Sequence, residues 1–88
     1  FSVTLGIIPD FTEGSPGMKI SGVRPNGPAD KAGLKSGDVI VKMAGKKVLN
    51  IYDYMGLLGE LKAGDVVEVE VLRDGKSVTV TATMARRN

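Results

Sequence analysis

The stretch from Val67 to Met84 constrains the fold more than any other part of this chain. Val67, Val69 and Val71 alternate with Glu68, Glu70 and Leu72. After Asp74-Gly75 the pattern resumes, with Val78, Val80, Ala82 and Met84 on one face and Ser77, Thr79, Thr81 and Thr83 on the other. A period of two is that of a strand with one buried face, because successive side chains point to opposite sides of a sheet. Asp-Gly between two such runs signals a tight hairpin turn. A one-residue slip would turn the valines to water, so the register is well specified. An antiparallel β framework is the frame into which the other segments must fit.

Met18, Ile20 and Val23, interrupted by Gly22, predict a second strand with a bulge, ending at Arg24-Pro25. Val39 to Met43 predicts a third, closed by Ala44-Gly45-Lys46 and continued at Val48. Pro28 at a first helical position and Gly33 just past the end bracket a short helix, with Ala29, Ala32 and Leu34 expected to be buried. Asn50 predicts the cap of a longer helix from Ile51 to Lys62, where Lys62 would complement the helix dipole. Within it Ile51, Tyr54, Leu58 and Leu61 recur at helical spacing, and Met55 and Leu57 flank that stripe. So broad an apolar face fits either plain core packing or a second surface such as a groove wall. Asp10 to Gly17 reads as a polar, flexible loop, and Arg86-Arg87-Asn88 as a frayed tail.

The 88 residues fit one small domain, residues 1–88, with no room for two cores or for a catalytic apparatus. With 42% hydrophobic and 25% charged residues the composition is that of a globular protein, and no apolar run is long enough to insert in a membrane. The chain begins at Phe1 rather than at methionine, and reads as a segment of a longer protein from which any leader has been removed. It contains neither histidine nor cysteine, which excludes the usual nucleophile–base pairs and thiolate zinc sites within it. Ser15, Ser21, Ser36 and Ser77 sit in turns or exposed strand positions and read as solvation rather than as Ser–Lys chemistry. Asp10 and Glu13 match no calcium loop. A net charge of +2 with interleaved signs, and lysines at 42, 46 and 47 without neighbouring aromatics, speak against a nucleic-acid partner.

One short string remains. In Thr4-Leu5-Gly6-Ile7 the glycine can take dihedrals closed to other residues, so the turn can present backbone N–H groups to one anion. Leu5 and Ile7 would flank that anion with apolar surface, which suits the carboxylate and last side chain of a peptide. Pro9, which cannot donate to a ladder, places the following strand at an edge or a strand end.

Taken together, Thr4-Leu5-Gly6-Ile7, the Pro28-Ala29-Asp30-Lys31-Ala32-Gly33-Leu34 segment, the Leu34-Lys35-Ser36-Gly37-Asp38-Val39-Ile40 turn and strand, and the helix ending Leu61-Lys62-Ala63-Gly64-Asp65 resemble a PDZ domain of the bacterial protease-associated type. The resemblance spans nearly the whole chain. It implies a mixed α/β, mainly β, partly open antiparallel barrel or sandwich of about five or six strands capped by two helices. It further implies that an extended peptide adds as a strand between the segment after Gly6, with Ile8, and the long helix. Leu5, Gly6 and Ile7 would then form the carboxylate loop, and Leu58 and Leu61 the helix wall of the last-residue pocket. Tyr54 would stand where many members carry a histidine that reads a Ser or Thr hydroxyl, and Pro9 would shorten the peptide register.

The run Leu5 to Phe11 with Asn50 to Met55 looks more like the PDZ domains of bacterial zinc aminopeptidases than like those of HtrA-type serine proteases. That reading puts a zinc centre in a parent catalytic domain and no cofactor in this chain. The implied partners are peptide or protein C-termini, or the parent peptidase domain itself. The isolated module would be monomeric, and its location periplasmic or secreted. An interdomain packing element without a free peptide ligand is the alternative, and an HtrA-type parent is the other.

Overall fold

Eight strands and two helices follow one another in the computed structural model, which describes residues 2–11 and 14–87. The order is β1 (Val3–Thr4), β2 (Ile7–Pro9), β3 (Met18–Val23), α1 (Pro28–Ala32), β4 (Val39–Met43), β5 (Lys46–Lys47), α2 (Ile51–Glu60), β6 (Val66–Arg73), β7 (Lys76–Thr83) and β8 (Ala85–Arg86). Phe1, Thr12, Glu13 and Asn88 lie outside the described residues, and with them part of the expected polar loop and the end of the expected tail.

The hairpin expected from the alternation forms as β6 and β7, in register from Val66 opposite Thr83 to Arg73 opposite Lys76. Its turn takes positive φ at both Asp74 and Gly75, and the β4–β5 turn repeats this at Ala44 and Gly45. Six strands make one antiparallel sheet in the order β2-β3-β4-β6-β7, with β5 on β4, while β1 and β8 pair separately. The fold is mainly β with two helices, and the sheet does not close into a barrel. No helix among the described residues is long and apolar enough to cross a membrane.

The inward faces of these strands, with Leu34, Val48 and the inner side of α2, bury a single apolar cluster in which Leu5, Ile20, Ile40, Met43, Val69 and Val71 are inaccessible to solvent. Among the described residues its one buried charge is Asp38. The Arg73 guanidinium donates to it from Nε at 2.9 Å and Nη2 at 2.7 Å, and the Lys35 amide adds a third bond at 2.9 Å. Burial alone would raise the Asp38 pKa, but the Arg73 hydrogen bonds, the Lys35 amide and the nearby positive charges outweigh it, so the carboxyl titrates below its ordinary value. Arg73 Nη2 also reaches the Gly33 carbonyl at 3.0 Å, tying the end of β6 to both sides of the turn before β4.

Several local expectations shift. The extra residue between β2 and β3 is Ser21, since Ile8 lies opposite Gly22 and Pro9 opposite Ile20. Gly17, expected in a flexible loop, is buried. A Cβ there would stand 2.2 Å from the Ile40 carbonyl oxygen, so the backbones touch where a side chain would go. The Asn50 cap accepts from the Asp53 amide at 3.0 Å while the Asp53 carboxylate accepts from the Leu49 amide at 2.9 Å, a reciprocal box that fixes the start of α2. The helix stops at Glu60 rather than Lys62. The Asp65 carboxylate takes the Lys62 amide at 2.8 Å and the Asp65 amide returns to the Lys62 carbonyl at 3.0 Å, folding that segment into a turn.

Candidate functional site

β2 is an outer strand of the sheet, paired only with β3. The Arg24 amide donates to the Gly6 carbonyl at 2.9 Å and the Asp10 amide to the Lys19 carbonyl at 2.8 Å, so residues 6, 8 and 10 turn their main chain toward β3. By alternation, Ile7 and Pro9 turn theirs to the open side. Pro9 has no N–H to offer there, which leaves Ile7 as the donor and both residues as acceptors.

Across from that edge lies α2, which presents Ile51, Tyr54, Met55 and Leu58 along one face. Between helix and strand runs a groove of about 670 Å³. Val3 and Thr4 of β1, Arg86 and Arg87 at β8, and Arg24 after β3 also line it. The β1–β8 pairing places these residues: Val3 lies opposite Arg86, and the Arg87 amide donates to the Ser2 carbonyl at 2.9 Å.

Gly6 takes φ +77°, a left-handed conformation that glycine alone adopts readily. The loop is held from behind, where the Ala29 amide of α1 donates to the Leu5 carbonyl at 2.8 Å. The Gly6 amide donates to the Thr4 hydroxyl at 3.0 Å. Burial pushes the Tyr54 phenol up to about 12, although a hydrogen bond from the Leu5 amide and the charge of Arg87 act the other way. Two loop amides are thus capped by hydroxyls of the domain itself. A hydroxyl both accepts and donates, so Thr4 and Tyr54 can turn their protons outward to an incoming anion, and Tyr54 keeps its proton throughout the neutral range.

Of the residues singled out from the sequence, Ile7, Tyr54 and Leu58 line the groove and Gly6 shapes its end. Leu5 is wholly buried in the core behind the loop. Ile8 points outward at 45% exposure, and Leu61 follows the helix in extended conformation and packs against the core. Tyr54 lines the groove with its phenol at the loop, beside Leu5 and Arg87. Thr4, Arg24, Arg86 and Arg87 were not anticipated as groove residues. No cluster of three or more metal-ligating side chains occurs among the described residues, and the weighed pairing of Asp10 with Glu13 involves a residue outside them.

The family profile described as PDZ domain matches residues 3–84. The chain belongs to the PDZ family. Among curated proteins, this PDZ domain is 42% identical over 85 residues to the serine protease Do-like HtrB of Bacillus subtilis, covering 96% of the domain and 18% of that protein. It is 41% identical over 73 residues to the probable periplasmic serine endoprotease DegP-like of Marinomonas sp., covering 83% of the domain and 16% of that protein. The domain therefore spans less than a fifth of the length of these relatives. Among solved structures, the HtrA-type protease AlgW with decapeptide superposes with a TM-score of 0.89 at 25% identity, over 99% of the domain and 30% of that chain.

These relatives overturn the expected likeness to zinc aminopeptidases, and with it the metalloprotease context and the zinc in a parent catalytic domain. They are serine proteases. Of the residues that suggested otherwise, Leu5, Ile7 and Tyr54 are buried in the core, and the distinctive aromatics lie on the surface, Phe11 at 75% and Tyr52 at 77% exposed. Positions that pack against nothing carry little of the fold's constraint and are a poor guide to kinship.

Proposed function

We propose that this PDZ domain is the peptide-docking module of an HtrA-type serine protease acting outside the cytoplasm, with the proteolytic chemistry carried elsewhere in the parent chain. A peptide or protein C-terminus enters the groove as an added strand antiparallel to β2. Its carboxylate lies at the loop, receiving the Ile7 amide and the turned hydroxyls of Thr4 and Tyr54, with the Gly6 amide behind Thr4 holding that hydroxyl in place. Its last side chain rests against Ile7 and Leu58, over the floor that Leu5 backs. Toward the far end Ile51 and Met55 receive an apolar side chain, and the missing N–H of Pro9 ends the ladder after the last two or three residues.

The observation that carries this reading is the orientation of Ile7, whose main-chain groups face the groove rather than another strand. The names of the relatives support the protease context, and the peptide in the AlgW structure supports the ligand class. Isothermal titration with peptides that end in an apolar residue tests it. The free acids are expected to bind, and their C-terminal amides to bind at least about tenfold more weakly, a loss of roughly 1.4 kcal/mol. Equal affinity for acid and amide would remove the carboxylate from the account.

A further inference from the structure

Three arginines and no acidic residue line the groove. Arg24, Arg86 and Arg87 are all exposed, and none takes part in an ion pair among the described residues, where Lys46–Glu60 and Arg73–Asp38 are the pairs formed. The three converge from distant parts of the chain: Arg24 is bonded through its amide to Gly6, and Arg86 and Arg87 are held by β1. A single terminal carboxylate brings one negative charge to a concavity framed by three positive ones. Fields add in a groove with apolar walls, and the residual positive potential favours a ligand with more than one anion.

The strand geometry restricts where that second anion can sit. Pro9 ends the ladder early, so selectivity must come from side chains close to the terminus. The last side chain turns into the apolar pocket, and alternation sends the preceding one toward the open mouth of the groove, the side on which exposed lining residues such as Arg24, Arg86 and Arg87 lie.

We propose that the domain selects C-termini in which an acidic side chain immediately precedes an apolar last residue, with Arg24, Arg86 and Arg87 as the specificity-determining groups. This rests on the peptide-docking reading above. It concerns which chain ends are taken, not whether they are.

Fluorescence anisotropy with labelled peptides ending in Glu-Val and Gln-Val, each as free acid and amide, separates the two questions. The Glu-Val acid is expected to bind about three- to tenfold more tightly than the Gln-Val acid at low salt, with the preference shrinking as salt is added. In Arg24→Gln/Arg86→Gln/Arg87→Gln the preference should fall below about twofold, at an unchanged melting temperature, because exposed arginines contribute little to stability. The single variants, each losing part of the preference, serve the same purpose if the triple variant is unstable. Equal binding of the two acids, with amides still rejected, overturns the acidic selectivity and leaves peptide docking standing. A preference that survives in the arginine variants overturns the assignment to these residues. Failure of both acids to bind overturns peptide docking, and the selectivity with it.

Discussion

The main run of the sheet, from which the two-residue β5 branches, ends in β2 on one side and β7 on the other, and the protein treats these two edges differently. β7 is eight residues long, carries Ser77, Thr79 and Thr81 exposed along it, and has α1 beside its end at Thr81 and Thr83. β2 is three residues long, is offset by a bulge against β3, and faces an apolar helix across a groove. Polar side chains and a covering element are how an edge avoids unwanted pairing. An edge becomes a docking site when a second wall offers pockets for alternate side chains and the strand's end offers donors for a terminal charge. The difference teaches that a free edge is not in itself a binding site; what β2 has and β7 lacks is α2 and the Gly6 turn.

The largest effect expected is on the frame that holds both edges. Gly17→Ala forces a methyl onto the Ile40 carbonyl, and should cost about 3 kcal/mol in urea denaturation. Peptide affinity should stay unchanged in the fraction that remains folded, which would separate frame from groove. Next in size, Asp38→Ala strips Arg73 and the Lys35 amide of their shared acceptor and should cost about 2 kcal/mol.

Because Asp38 titrates below its unfolded value, its contribution is complete above about pH 4 and fades as the pH falls through the folded value. Acid denaturation of the wild type should therefore be steeper in that window than that of Asp38→Ala. Gly6→Val acts on the β2 edge alone. It places a β-branched residue at φ +77° and should reduce peptide affinity at least about tenfold in titration, with a stability loss of about 1–2 kcal/mol. Smallest, Met55→Ser trims a helix residue that is already 39% exposed, and should weaken binding about threefold with no measurable change in melting temperature. A variant on β7 such as Thr79→Lys should leave binding untouched, and any loss there would erase the contrast between the edges.

Much of the frame is written locally. The valine alternation and Asp74-Gly75 encode β6 and β7, the bracket of Pro28 and Gly33 encodes α1, and Asn50 encodes the start of α2, because each is a short-range matter of side-chain period, φ and capping. The end of α2 is not, since Asp65 competes for the Lys62 amide from three residues further on. Gly17 was misread because nothing near it in the chain announces that Ile40 will pass at contact distance.

The groove divides in the same way. Gly6, Ile7 and Leu58 could be named from the loop motif and the helical stripe. Arg86 and Arg87 looked like a frayed tail, because what places them is a pairing of two dipeptides from opposite ends of the chain. Thr4 was read only as the start of a string, and its hydroxyl matters because the Gly6 turn folds its amide back onto it. Tyr54 was given a place by analogy along the helix, and nothing in the sequence announces that its phenol would lie beside the Leu5 amide.

The central claim concerns one strand edge, and amide NMR on the labelled domain tests it most directly. Titration with a peptide ending in an apolar residue as free acid should move the Gly6 and Ile7 amides saturably, leave Thr79 and Thr81 in place, and produce little change when the same peptide is amidated. Shifts confined to β7, or Gly6 and Ile7 amides that stay still while peptide binds, would contradict the account.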